Sequence, residues 1–511
     1  MRVVMGPVLS LRRAEADRWL VSALVVAART PAVQPLEVRC RNSHVEDVVE
    51  VRAKELWVHG GEAVYRYDLT VPLDAKRASV VEYRFPGDAK SWSFCVPAAG
   101  GKPKMAFVSC NGFSSASEIK KVEDKNRLWR RLAALHAESP YHVLIMGGDQ
   151  VYADQLWEEC SAIKRWVETS LEKRRRRGFT REMATQVRRF YFNLYRDRWR
   201  QPEVESMMSS VPTVMMWDDH DIFDGWGSYD PEIQTCDVYQ GIFDIAREHF
   251  AVFQQQIDPR AGEDHPSRLP GGNGFTLAFE LGDYAVLALD ARSERSQKRV
   301  LSRETWESVW SWTESMPVAG EGGPRHLLLV VGVPVLHADF GALERVMGWL
   351  PGDQALEDDV RDHWQSPGHR TERLRLVHRL LDLMRTKKIR ATIVSGDVHV
   401  ACLGAIESER SGARGQRSSV INQLTASGIV HPPPPKLLGY LLERLSEEPE
   451  PIDRGIAGTM LAFPARRRKF VLERNFLSLE PDERDDRLWA NWWVEGDEDG
   501  PATKVIGPVP S

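Results

Sequence analysis

The hydrophobic positions of this chain gather in short runs, and five of these runs stop at polar clusters of one kind. Met105-Ala106-Phe107-Val108 leads into Ser109-Cys110-Asn111, and His142 to Met146 leads into Gly147-Gly148-Asp149. Val214 to Trp217 leads into Asp218-Asp219-His220-Asp221, Ala285 to Leu289 into Asp290-Ala291-Arg292, and Ala391 to Val394 into Ser395-Gly396-Asp397-Val398-His399. A short β-branched and apolar run bounded by Gly and Asp predicts a strand covered on both faces. In an open α/β sheet the carboxyl ends of such strands share one edge, where ligands bind. The clusters are therefore expected to converge on one crevice. They bring carboxylates, imidazoles, a phenol and a thiol, which is a ligand set for metals and not for a dinucleotide.

The first hundred residues follow another pattern. Trp19 to Val26, Val48 to Ala53 and Ala63 to Val71 are strand-like, partly alternating, and separated by Pro, Gly and Asn. They predict a small antiparallel domain over 1–103, closed by the Pro- and Gly-rich stretch 97–103. From 104 onward strands alternate with helical stretches, which predicts an α/β unit over 104–511. Lys125 to His136 is the first expected crossover helix, 155–210 a helical insertion rich in Trp, Tyr and Arg, and 372–387 a further helix. Lys173-Arg174-Arg175-Arg176-Arg177 reads as a solvated helix face, because acidic residues surround it. His431-Pro432-Pro433-Pro434-Pro435 reads as a stiff loop.

Composition excludes several function classes. At 511 residues, with 42% hydrophobic and 28% charged, the chain is long enough for two or three domains of ordinary globular type. A net charge of -5 gives no global pull toward nucleic acid or an anionic membrane. No apolar stretch of about 18 residues occurs, so no membrane span is expected. Six widely spaced cysteines without a CxxC pair indicate reduced thiols. The opening residues lack a leader's apolar core, and a cytoplasmic location is expected.

Several acids at the ends of hydrophobic strands repel one another unless cations neutralise them. Two ions sharing one carboxylate would resolve this. Gly-Asp-Gln-Val-Tyr-Ala-Asp at 148–154, Trp-Asp-Asp-His-Asp-Ile-Phe-Asp-Gly-Trp-Gly at 217–227, Leu-Asp-Ala-Arg at 289–292 and Ser-Gly-Asp-Val-His at 395–399 resemble a known family. It is the alkaline phosphatase D (PhoD-like) family of the calcineurin-like metallophosphoesterases, and the resemblance covers most of 104–430. It implies an α/β fold with a metallophosphoesterase-type β-sandwich core flanked by helices. It also implies two or more metal ions, Fe3+ with Ca2+, or Mn2+ or Zn2+ in their place. Asp149 matches the carboxylate bridging the metals, Tyr152 a phenolate ligand and Cys110 a thiolate ligand. Asp219, Asp397 and His399 complete the metal sphere, and His220 matches the catalytic histidine. Asn111 is expected to orient phosphate, and Arg292 either contacts the substrate phosphate or pairs with Asp290.

Three departures from the wider superfamily shift the site toward oxygen and sulfur ligands. Ser109-Cys110-Asn111 replaces the opening Asp-x-His, the histidine of the strand before the last motif stands late at His337, and the last motif is Gly-Asp-x-His. The expected activity is hydrolysis of a phosphate ester by a metal-activated hydroxide, with His220 as proton donor. A phosphodiesterase or nuclease using the same site is the first alternative, although no base-stacking groove for nucleic acid is visible. A non-catalytic metal-binding protein is the second. Oligomeric state is not legible.

Overall fold

The computed structural model describes residues 1–41, 48–338, 363–409, 419–482 and 484–510. The five runs form strands at Met105–Val108, Val143–Gly147, Thr213–Met216, Tyr284–Ala288 and Arg390–Ser395, each buried along its whole length. A further buried strand, His326–Val330, stands between the last two. The architecture is mixed α/β.

These strands do not share one open sheet, and that expectation is corrected. Met105–Val108, Val143–Gly147 and Thr213–Met216 run parallel as neighbours in a ten-stranded sheet. Tyr284–Ala288, His326–Val330 and Arg390–Ser395 run parallel in a nine-stranded sheet, with Ala288, Val330 and Val394 in register. Successive side chains of a strand point to opposite faces, and this second sheet is covered on both. Val286, Leu328 and Val394 belong to the cluster that holds Phe107 and Met146 of the first sheet. Leu287, Leu329 and Ile393 belong to a second cluster with Val309 of helix Arg303–Ser315 and Leu380 of helix Arg370–Lys387. A fully apolar run satisfies either arrangement, so its pattern cannot say which sheet it joins.

The carboxyl ends still converge, because the two sheets meet there. A Cβ on Gly396 would lie 2.2 Å from Ser109 Oγ, and one on Gly332 would lie 1.9 Å from Asp218 Oδ2. Strands from both sides of residue 103 occupy the ten-stranded sheet. Val3–Ala14, Arg18–Ala28, Ala53–His59 and Glu62–Pro72 extend it on one side, with Ser10 level with Thr213. Asn475–Pro481 and Leu488–Val494 extend it on the other. Leu36–Cys40, Val49–Val51, Ser79–Arg84 and Ser91–Val96 form a separate four-stranded sheet.

The first expected helix spans Arg127–Glu138. Within 156–208 lie helices Leu156–Glu159, Ser161–Val167, Leu171–Arg176, Arg181–Trp199 and Pro202–Met208. Tyr195 stacks on Phe253 of helix Asp237–Phe253 at 4.7 Å, which ties this segment to the core. The basic run occupies an exposed helix, with Arg175 2.7 Å from Glu232. All six cysteines are free thiols. Among the described residues no helix is long and apolar enough to cross a membrane.

Gly147 marks how closely the sheets approach. A Cβ there would lie 2.2 Å from Phe107 Cε2 and 3.2 Å from Val330 Cγ1. Gly147→Ala should therefore destabilise the protein by about 1–3 kcal/mol through overpacking, read as a lower urea midpoint and Tm. Gly61→Ala, where a Cβ meets nothing within 4 Å, should change neither.

Candidate metal centre

The backbone at the strand ends is bent into a conformation that side chains rarely adopt. Of seven non-glycine residues with positive φ among the described residues, four belong to the expected ligand set. They are Cys110 at 53°, Asp149 at 56°, Asp397 at 65° and His399 at 53°. Each such residue costs on the order of 1–3 kcal/mol and persists where its surroundings over-determine it. Here neighbouring loops hold one another: Cys110 N donates to Gly148 O at 3.2 Å, Asn111 N to Asp149 O at 2.8 Å, and Gly396 N to Gly332 O at 3.2 Å.

The result is a crowd of acids, buried except for the partly exposed Asp397. Ligand atoms of Asp149, Asp219 and His220 lie within 4.8 Å of one another, as do those of Asp218, Asp219 and Asp397. Cys110 Sγ is 3.5 Å from Asp149 Oδ2. The structure thus brings Cys110, Asp149, Tyr152, Asp219, His220, Asp397 and His399 to one place.

Arg292, expected at substrate or on Asp290, lies fully buried beneath this crowd. It ion-pairs with Asp218, donates to Asp219 Oδ1 at 3.3 Å and stands 3.8 Å from Asp397 Oδ1. The Asp290 carboxylate accepts instead from Trp217 Nε1 at 2.8 Å and Phe275 N at 2.7 Å. Asn111 is also built into the frame. Its Oδ1 accepts from Trp129 Nε1 at 2.9 Å and from Arg198, and its Nδ2 donates to Gln150 O at 3.3 Å. His337, the late histidine, is buried against Phe470, 5.5 Å between ring centres.

Four rings form a column beside the acids. Tyr152 stacks on His220 at 4.3 Å and on His431 at 5.4 Å, and His431 stacks on His399 at 3.7 Å. His220 Nδ1 meets Asp154 Oδ2 at 2.8 Å, and Asp154 Oδ1 accepts Asp224 N at 2.8 Å. His431 Nε2 lies 3.3 Å from Glu118 of helix Ala116–Lys121. Sequence reasoning missed His431 and Glu118 and gave no role to Asp154. Asp154 stands two residues past Tyr152 in a quoted motif, whereas His431 opens a proline run that reads only as a loop.

A family description, PhoD related phosphatase, matches residues 99–351 and 341–448. The chain belongs to that family. A curated protein of Saccharomyces cerevisiae, itself described as uncharacterized, is 27% identical over 457 residues, which is 74% of this chain. The chain spans 64% of that relative's length. A solved structure of PhoD is similar at a TM-score of 0.55 and 13% identity, covering 98% of this chain and 88% of that one. The structural likeness establishes a PhoD-like fold.

The residues of this PhoD-related chain fit a bound cation. Among the described residues, Asp149 Oδ1, the Tyr152 hydroxyl and His399 Nδ1 are buried without hydrogen-bond partners, a cost of about 1–3 kcal/mol each if nothing else meets them. Without a cation, burial raises the Asp149 and Asp397 carboxyls well above the carboxylate range, and neighbouring acids add to it. Burial likewise raises the Cys110 thiol and the Tyr152 phenol, and Asp149 adds to both. Burial, with His431 and His220, holds His399 well below its usual value. A metal ion reverses this logic for carboxylate, thiol and phenol alike.

A pH dependence follows. Asp149 and Asp397 bind protons more tightly folded than unfolded, so their stabilising contribution is complete below about pH 4 and lost as pH rises through the raised values. His220 is raised well above its usual value: burial opposes the charge, but Asp154, Asp219 and Asp149 outweigh it. It therefore acts in the same sense, whereas the lowered His399 acts oppositely near its ordinary value. His136, His142, His249, His326 and His337 are also lowered by burial and pull the whole-protein slope the other way, so the acids are read by difference: excess Ca2+ should stabilise chelated protein more at pH 8 than at pH 5 in urea unfolding. An equal gain from Ca2+ at the two pH values would remove the case for a repulsive acid cluster.

Proposed function

We propose that this protein is a metal-dependent phosphoric ester hydrolase with a metallophosphoesterase-type β-sandwich core. The observation that carries the reading is the convergence of Asp149, Asp219, Asp397 and His220 at the join of two sheets, with Asp149 Oδ1 unpartnered among the described residues, in a chain of a phosphatase family. Cys110, Asp149, Tyr152, Asp219, Asp397 and His399 would hold two metal ions there. Thiolate and phenolate suit Fe3+, while carboxylates suit Ca2+ or Mn2+. When bound, the ions supply Lewis-acid polarisation of the phosphoryl oxygens and activation of the water nucleophile.

The chain's own residues do the rest. Asp154 fixes the His220 ring through Nδ1, leaving Nε2 to donate a proton to the departing alkoxide. Arg292 holds the acids together from behind, and Asn111 sets the loop that carries Cys110. Burial of these groups excludes bulk water from the reacting phosphoryl group.

The decisive experiment pairs metal analysis with hydrolysis of an aryl and an alkyl phosphate. His220→Asn should retain metal and lower turnover on the alkyl ester by about 10²–10⁴, with a smaller loss on a nitrophenyl ester that departs without a proton. Asp149→Asn should strip metal and abolish both activities. Equal losses at His220 for the two esters would refute the acid role, and full activity after proven metal removal would refute the whole reading.

If Fe3+ is the thiolate- and phenolate-bound ion, concentrated iron-loaded protein should be coloured by ligand-to-metal charge transfer. Tyr152→Phe should shift or remove the absorption band. A colourless protein with stoichiometric iron would count against both ligands.

A further inference from the structure

Away from the acids, a groove of about 1300 Å³ opens between helices Arg303–Ser315 and Arg370–Lys387, and no candidate ligand lines it. Trp306 and Trp310, one helical turn apart, lie ring on ring along it, 5.0 Å between centres and 7° between planes. Both indoles are half-buried, and Leu301, Leu374 and Leu381 complete an apolar floor.

The rim is basic. Arg299, Arg375 and Lys388 line it without a carboxylate in ion-pair reach among the described residues. Arg303, Arg379 and Arg385 each have one exposed partner, Glu307 at 2.6 Å, Glu314 at 2.9 Å and Asp382 at 2.5 Å. Exposed pairs of this kind contribute little to stability, so they exchange readily for a partner's carboxylates. Of the acids in the lining, Glu372 is occupied, accepting from Val300 N, Leu301 N and Trp306 Nε1. Six cations thus face three acids here, while the whole chain carries -5.

We propose that this groove binds an acidic amphipathic polypeptide segment of a partner protein. Tryptophan and arginine around an apolar floor are the composition of interface hot spots. A recess between two helices matches a helix laid into a groove, and its acid-seeking rim selects the sign of the incoming charge. A nucleic acid would leave the leucines of the floor unused, and a bilayer surface would not enter a recess. The inference does not depend on the hydrolase reading.

The test uses the full chain and a fluorescein-labelled peptide of Leu and Glu in helical amphipathic order, followed by anisotropy and by Trp emission. It should bind, weaken with salt, and lose at least about tenfold in Kd, or 1.4 kcal/mol, in Arg299→Glu/Arg375→Glu and in Trp310→Ala. Unchanged Tm and circular dichroism would show that the charge variants are folded, and hydrolase activity, if present in the wild type, should persist in them. Three comparison probes are a Leu/Lys peptide, oligoglutamate and phosphatidylserine vesicles. No binding of the Leu/Glu peptide, equal binding to the variants, or equal or tighter binding of any comparison probe would overturn the proposal.

Discussion

The structure turns on one electrostatic constraint: several carboxylates are held together, away from water, at the join of two sheets. Two like charges 4.8 Å apart repel by about 3–4 kcal/mol at an effective dielectric of 20. Arg292, fully buried, answers Asp218 and Asp219 directly and Asp397 at 3.8 Å. One guanidinium does not balance Asp149, Asp218, Asp219 and Asp397 together. The remaining crowding suits the site to a cation, and burial first, with the neighbouring acids adding to it, raises Asp149 and Asp397.

Holding such a cluster requires a frame that cannot relax, and two other acids of the same motifs provide it. Asp221 accepts from Asp218 N at 2.9 Å, from Gln150 N and Val151 N at 3.3 Å, and from Gln254 Nε2 at 2.8 Å. Burial pushes its carboxyl up to about 7, and those same donors limit the rise. Asp290 ties Trp217 to the strand beside it. In Asp-Asp-His-Asp, then, Asp219 and His220 join the acid cluster while Asp221 fastens two loops. The strained backbone at Cys110, Asp149, Asp397 and His399 is tolerable because loops fastened in this way have no neighbouring conformation to enter.

The motifs made most of the site legible, and the physics of short apolar strands explains what they left out. Met105–Val108 and Arg390–Ser395 are recognisable because a strand covered on both faces leaves an uninterrupted apolar run. The same absence of alternation hides which sheet each joins, so a single open sheet and two touching sheets read alike. Gly332 and Gly396 carry the missing information, since only their close approach to Asp218 and Ser109 reveals the join. Arg292 was readable as a cation near the acids, but its partner was not: Asp290 is nearer in sequence and takes only its backbone N–H, while its guanidinium meets Asp218 and Asp219. His431 was illegible for another reason. Its neighbours in sequence are prolines, and its role comes from Glu118, Tyr152 and His399, all far along the chain.

Segments outside the family match close the back of this site. Arg474, almost fully buried, donates to the carbonyls of Asp124 and Lys125 at 2.8 and 3.0 Å and to that of Val430 at 3.3 Å, while its ion pair with Glu495 fixes it from behind. Asp124 and Lys125 precede helix Arg127–Glu138, and Val430 precedes His431. One guanidinium from the C-terminal strands therefore sets the spacing between the loop carrying His431 and the segment that leads into the Asn111-binding Trp129. Glu118, on the short helix just before it, then meets His431. The column His399–His431–Tyr152–His220 is thus held at one end by strand geometry and in its middle by a clamp built from residues 474–495. The candidate metal centre is a property of both sheets and of the strands that flank them, which explains how motifs spread from residue 110 to residue 399 come to lie in one place.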